Sequence, residues 1–303
     1  MSNRVTSQGG RARPHGARGK VAAQRAPTRR AARRKRILLA GAGTALVVVL
    51  AVVLAVVRPG SSAPSAAASS TGTAAQNAAV AQAVTSVPAA TFNAVGAGPA
   101  AGLNAISGQP PLTVNGKPEV VYMGGEFCPY CAAERWALTA ALGRFGTFTG
   151  LNLIHSSPTD VYPSTPTLSF HGSGYTSKYV AFTPVEWFGE ADDASSPFGH
   201  VVLQNPTPQE AALFNKYAGG SIPFVDFGNQ HLVPQAQYLP SALQGMSWSQ
   251  VAAAMRTPSS AVAKDIDGAA NIDTAAICAM TNGQPGSVCS SPGVTAAAGQ
   301  LGS

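Results

Sequence analysis

The tetrapeptide Cys128-Pro129-Tyr130-Cys131 constrains this chain more than any other stretch. The apolar run Val120-Val121-Tyr122-Met123 leads into it through Gly124-Gly125, and residues 132–142 follow, so the text reads as strand, tight turn and helix. Two thiols three positions apart at a helix start read as a redox pair. The first turn of a helix has N–H groups without intrahelical partners and a partial positive charge, which stabilise a thiolate. Cys128 is therefore the expected nucleophile, and Cys131, one turn further in, the less exposed resolving thiol. Pro129 suits the first helical position, where its missing N–H would have no partner. Leu138, Leu142 and Phe145 recur at helical spacing and give the helix a face to bury, and Gly146 is expected to end it. Glu126 would disfavour the Cys128 thiolate if close and Arg135 would favour it; both read equally well as solvated surface charges.

The strand, Cys-x-x-Cys and helix resemble the thioredoxin superfamily, and the Pro-Tyr dipeptide between the cysteines is similar to that of glutaredoxins. The wider text from Gly125 to Trp136 resembles a membrane-anchored prokaryotic family, domain-of-unknown-function family 929, over about residues 118–289. The expected fold class is α/β: a thioredoxin-like central sheet flanked by helices, with an inserted segment, preceded by one transmembrane helix. The resemblance implies a cis-proline facing the cysteine pair. Ile222-Pro223 fits that place, because Pro223 opens an apolar strand and Gly228-Asn229 supplies a hairpin turn before a second one. There it would expose the Ile222 backbone to an extended substrate and keep metal from the thiols. An ordinary trans proline stays open, as does Pro166 as the rival position. Pro129, Tyr130, Ile222 and Pro223 are thus the expected substrate-binding residues beside the catalytic Cys128 and Cys131.

Residues 1–36 hold 12 of the 20 Lys and Arg, no acidic residue and no Phe, Tyr or Trp, so they read as a disordered tail. Without aromatic side chains for stacking, nucleic acid is not an expected partner. Residues 37–57 are 21 residues without a charge, and at 1.5 Å per residue they span about 31 Å, close to the hydrocarbon thickness of a bilayer. That is long for a cleaved signal peptide. Arg58 is the only nearby basic residue beyond the span, so the N-terminus is expected in the cytoplasm and the remainder outside. The basic tail would lie on anionic membrane lipid. Residues 59–303 hold 7 Lys and Arg against 13 Asp and Glu, a net of −6, so the overall +7 belongs to the tail. The domains expected are the tail 1–36, the span 37–57, a flexible linker 58–90 rich in small residues, and an extracytoplasmic domain 91–303.

Within that domain, 151–155, 167–171 and 179–185 read as strands, 189–208 as an inserted loop and 209–217 as a helix. Ser247 caps a helix over 248–255 in which Trp248 is read as core. Cys278 ends a short helix beginning near Asp273, and Cys289 follows a Gly/Pro turn. Outside the membrane these thiols are expected to pair. The 12-residue loop they close makes a structural disulfide worth roughly 3 kcal/mol, and a second, electron-relaying pair is the alternative. No metal or other cofactor is expected: the spacing of Cys278 and Cys289 is too long for a zinc pair, and the histidines are scattered. The sequence thus points to a membrane-anchored thiol-disulfide oxidoreductase acting on cysteine-containing envelope proteins, with a membrane redox partner. The alternative is a non-catalytic envelope binding module with static disulfides.

Overall fold

The computed structural model describes residues 71–196, 198–233 and 235–302. The tail expected over 1–36 and the span expected over 37–57 lie outside the described residues. Among the described residues no helix is long and apolar enough to cross a membrane.

Helix α1, Ala74–Thr85, begins with a capping box in which the Thr73 hydroxyl accepts from the Gln76 N–H and the Gln76 side chain accepts from the Thr73 N–H. It buries Val80 and Val84, and the short helix α2, Ala89–Val95, buries Phe92. Residues 58–70 of the linker expected over 58–90 lie outside the described residues, and over the rest of that range these helices correct it. The text that reads as spacer from its small residues is rich in alanine, a strong helix former, and its two valines four positions apart share one helical face.

Strands β1 (Asn104–Ala105), β2 (Thr113–Val114) and β3 (Lys117–Gly125) lead into helix α3 (Pro129–Leu142). Strands β4 (Gly146–Thr149), β5 (Asn152–His155), β6 (Pro166–Ser169), β7 (Gly174–Ser177), β8 (Ala181–Asp192) and β9 (His200–Val202) precede helix α4 (Pro208–Tyr217). Then come β10 (Phe224–Phe227), β11 (His231–Val233), α5 (Trp248–Met255) and α6 (Ala261–Met280), with short helices at Gly286–Cys289 and Pro292–Ala297. Among the described residues the main sheet is mixed, in the order β1-β11-β10-β3-β8-β9, with β2 also on β3. β3 is central, antiparallel to β10 and parallel to β8.

Alternate residues of β3 enter two cores. Val120 and Tyr122 pack in the cluster of Trp136, Leu142 and Ile266, on the side of α3 and α6, while Val121 and Met123 pack with Phe214 of α4. A strand covered on both faces carries an unbroken apolar run, as 120–123 does. α3 is buried at every residue except Tyr130, beyond the single face that Leu138 and Leu142 announce. It stops at Leu142 with Gly143 as cap, so Gly146 opens β4 instead of ending the helix.

Two further expectations are corrected. The loop expected over 189–208 is largely strand, because β8 runs on to Asp192 and returns as β9. The short helix expected from near Asp273 is the 20-residue α6. Its apolar pattern is broken by Asp267, Asn271, Asp273 and Thr274, all buried. Asn271 donates to the carbonyls of Phe92 and Gly96 and accepts from Arg144, so the polar positions tie α2 and the end of α3 to α6. Gly268 allows that approach: a Cβ there would lie 2.5 Å from the Ala97 carbonyl oxygen. The hairpin turn at Gly228-Asn229 is present, with φ of +66° and +57°, as a mirror-image turn requires. Cys278 and Cys289 form a disulfide, which ties the end of α6 to the Gly286–Cys289 helix.

Glu134 of α3 and Asp273 of α6 are fully buried acids whose charges oppose each other. The Gln237 N–H donates to Glu134 Oε2 at 3.3 Å. Burial nonetheless pushes Glu134 up to about 7, and raises Asp273 well above the carboxylate range with the Glu134 charge adding to it. A carboxyl raised on folding contributes stability that is complete below its unfolded pKa and lost as pH climbs through its folded value. Glu134→Gln is therefore expected to stabilise the fold by about 1–3 kcal/mol at pH 8 and by much less near pH 5, measured by urea unfolding. An equal effect at both pH values would show that the carboxyl is not protonated on folding.

Candidate active site

The β3 to α3 junction places both thiols at the carboxyl end of the central strand, where open α/β sheets form their clefts. Cys128 is the N-cap of α3, and its Sγ accepts from the Cys131 N–H at 3.2 Å. Both thiols are free, Cys128 6 % exposed and Cys131 fully buried. The Cys128 thiol lies below its ordinary pKa. A hydrogen bond from the Cys131 thiol contributes most, burial opposes it, and the Cys131 N–H and the Arg135 charge lower it further. Burial raises Cys131 well above the ordinary range, and the hydrogen bond and charge of Cys128 add to that. The two thiols thus shift in opposite directions, Cys128 down and Cys131 up.

Ile222-Pro223 is cis, and the Ile222 carbonyl oxygen lies 3.9 Å from Cys128 Sγ. Pro166 is instead part of β6, where its carbonyl accepts from the Trp136 indole N–H. Tyr130 meets Tyr162 edge to face, with ring centroids 5.7 Å apart. The structure therefore brings Cys128, Pro129, Tyr130, Cys131, Ile222 and Pro223 to one place. Cys278 and Cys289 are held in their own disulfide at the end of α6. Trp248 packs against the core and donates its indole N–H to the Ile154 carbonyl. Among the described residues no group of three or more His, Cys, Asp or Glu could hold a metal ion.

Beneath the pair lies a charge that the sequence leaves open as a support for the thiolate or a solvated surface charge. Arg135 is fully buried and forks onto Glu186 of β8, with Nε 2.6 Å from Oε1 and Nη2 2.8 Å from Oε2. Nη2 also donates to the Gly125 carbonyl at 2.7 Å, at the end of β3 before the cysteines. Burial works against the guanidinium charge, and Glu186 overrides it and keeps Arg135 ionised. Glu126 is not a free surface charge either, because its carboxylate accepts from the Ser169 hydroxyl. Glu190 is pushed up to about 7, by burial first and then by Glu126. Glu186 carries no signal of this pairing in the linear text, where it is one of three acids of β8 and lies 51 positions from Arg135. Phe127 stacking on His200 and Tyr130 meeting Tyr162 carry no signal in the linear text, since each joins segments far apart in the chain.

The sequence profile of the family described as domain of unknown function (DUF929) matches residues 105–279, which include the cysteine pair, Glu186 and the cis proline. No curated protein and no solved structure matches.

Alkylation should separate the two thiols. In the folded chain iodoacetamide is expected to modify Cys128 first, with a pH midpoint below the roughly 8.5 of a free thiol, while Cys131 reacts only after unfolding. Peptide mass spectrometry reads both; modification of Cys131 first, or of neither thiol, would contradict the assignment.

Proposed function

The chain belongs to the family described as domain of unknown function (DUF929), and we propose that it is a thiol-disulfide oxidoreductase using Cys128 and Cys131. The observation that carries this reading is the placement of the pair: Cys128 caps α3 with its Sγ accepting from the Cys131 N–H, Cys131 is buried behind it, and the Ile222 carbonyl before the cis proline lies 3.9 Å from Cys128 Sγ. The Cys128 thiolate attacks one sulfur of a substrate disulfide, and the other sulfur leaves as a thiolate. Cys131 then attacks Cys128 Sγ, its proton passing to the departing substrate thiolate. The pair ends as a disulfide, two electrons lower, and the substrate as a dithiol; the reverse sequence oxidises a dithiol.

A thioredoxin-like assignment of the fold is supported by three features: the pair at the start of α3 after the central strand, a cis proline beside it, and β10 antiparallel to β3. In this reading residues 37–57 anchor the chain in the membrane, the basic tail lies on cytoplasmic lipid, and the catalytic domain acts outside on cysteine-containing envelope proteins. A membrane redox partner resets the pair. The Cys278–Cys289 disulfide supports an oxidising setting. The second reading, a binding scaffold without turnover, draws on the 6 % exposure of Cys128.

Trapping decides between them. Cys131→Ser is expected to stop the exchange halfway and accumulate a mixed disulfide between Cys128 and a model disulfide protein, visible on a non-reducing gel. Cys128→Ser should reduce both exchange and trapping to background. If Cys131→Ser traps nothing and the wild-type chain turns over no disulfide, the scaffold reading holds.

A further inference from the structure

We propose that the surface around Cys128 selects extended cysteine segments that are apolar beside the cysteine and carry Lys or Arg a few residues away. This rests on the oxidoreductase reading of the same pair. Two aromatic pairs flank Cys128. Phe127, its neighbour in the chain, stacks on His200 of β9 with ring centroids 3.9 Å apart. Tyr130, between the cysteines, meets Tyr162 at 5.7 Å. Ile222 is the third neighbour, through its carbonyl at 3.9 Å from Cys128 Sγ. All five side chains are half-buried, so each keeps a face in solvent. Phe198, 40 % exposed, extends the apolar surface through its contact with Phe188, itself edge to face with Phe127. A peptide lying here would place apolar side chains on these rings.

Asp192 lies beside the first aromatic pair, and Asp160 stands two positions before Tyr162 of the second in the chain. Asp192 Oδ1 lies 3.7 Å from His200 Nδ1, with its side chain 92 % exposed. Asp160 acts on the Tyr130 hydroxyl, which is raised by burial first, then by Tyr162, then by the Asp160 charge. The segments that build this surface, 126–133, 156–164, 189–196, 198–203 and 218–223, contain five carboxylates and neither Lys nor Arg. Glu126 and Glu190 are occupied, by the Ser169 hydroxyl and the His155 N–H. Asp160 and Asp193 are part-exposed, held by the Val161 N–H and by Ser195 through its N–H and hydroxyl, and Asp192 is exposed, so the solvent side carries a single sign of charge. Such a field draws in cationic flanks and repels anionic ones, so the occupant that complements it is an extended, basic-flanked cysteine segment of another protein.

The test uses the reduced full chain and one apolar cysteine pentapeptide flanked by Lys, Gln or Glu, each loaded as a mixed disulfide with thionitrobenzoate. The Cys128 thiolate bonds to the peptide sulfur as the bond to thionitrobenzoate breaks, and that coloured thiolate leaves. Cys131 then bonds to Cys128 and its proton passes to the released peptide thiolate, so the pair is oxidised as the mixed disulfide is reduced. Dye release is expected to be about tenfold faster for the Lys peptide than for the Glu peptide at low ionic strength. In roughly 0.5 M salt the ratio should shrink to about twofold. In Asp160→Asn/Asp192→Asn the ranking should collapse. Equal rates for the three peptides, or a ranking that survives the double substitution, would overturn the inference. The neutral disulfide dithiodipyridine separates the failures. Reaction with it but no peptide ranking refutes this inference alone, whereas no reaction with it refutes the oxidoreductase reading and this one with it.

Discussion

Arg135 is a charge sealed under the cysteine pair, and the arrangement of the site depends on how that charge is compensated. An isolated buried guanidinium would be prohibitively unfavourable, whereas one held by a bidentate carboxylate and a carbonyl is tolerated. Its partners come from two places, Glu186 on β8 and the carbonyl of Gly125, the last residue of β3 before the turn to Cys128. One side chain thereby couples the active-site helix, the parallel neighbour of the central strand and the end of the central strand that leads to the nucleophile. The Phe170 N–H adds a bond to Glu186, which brings the segment after β6 into the same network. Because a planar guanidinium fixes two directions at once, lysine would not reproduce the clamp.

The electrostatics of α3 change from one residue to the next. The cap geometry and Arg135 favour negative charge on Cys128. Glu134, immediately before Arg135, feels the like charge of Asp273 in a region where burial favours protonated acids and the Tyr238 hydroxyl donates to the Ala133 carbonyl. A helix buried on nearly all sides has no solvent to relax either arrangement, so each residue's ionisation is set by its immediate neighbours. The single residue of α3 that is not buried, Tyr130, lies between the cysteines and is the part of the helix a partner can reach.

What the linear text discloses and what it conceals follow from the range of the interactions. The strand at 120–123, the turn, the helix start at Pro129 and the hairpin at Gly228-Asn229 are set by local sequence, and all are found where the residues place them. The cis state of Ile222-Pro223 came from a family resemblance, not from the residues themselves. The misses are tertiary. α1 reads as spacer because its small residues hide two buried valines, and α6 reads as short because its polar residues are buried, Asn271 bonding to α2 and, with Thr274, to Arg144 rather than facing water. Of the two readings the sequence leaves open for Arg135, its burial overturns the solvated charge, which stood because the partner Glu186 lies 51 positions away. At the site itself, the cysteines and the proline were legible, whereas the aromatic pairs and the acid beneath them depend on the packing of distant strands.

The central claim is that Cys128 and Cys131 exchange between dithiol and disulfide under physiological conditions, and the reduction potential of that pair tests it most directly. Equilibration of the full chain in glutathione buffers, followed by thiol trapping and mass spectrometry, follows this pair separately from Cys278–Cys289. The account predicts a potential within the roughly −120 to −270 mV range of thiol-disulfide exchange proteins. A pair that stays oxidised below about −300 mV, or that forms no disulfide at all, would contradict it.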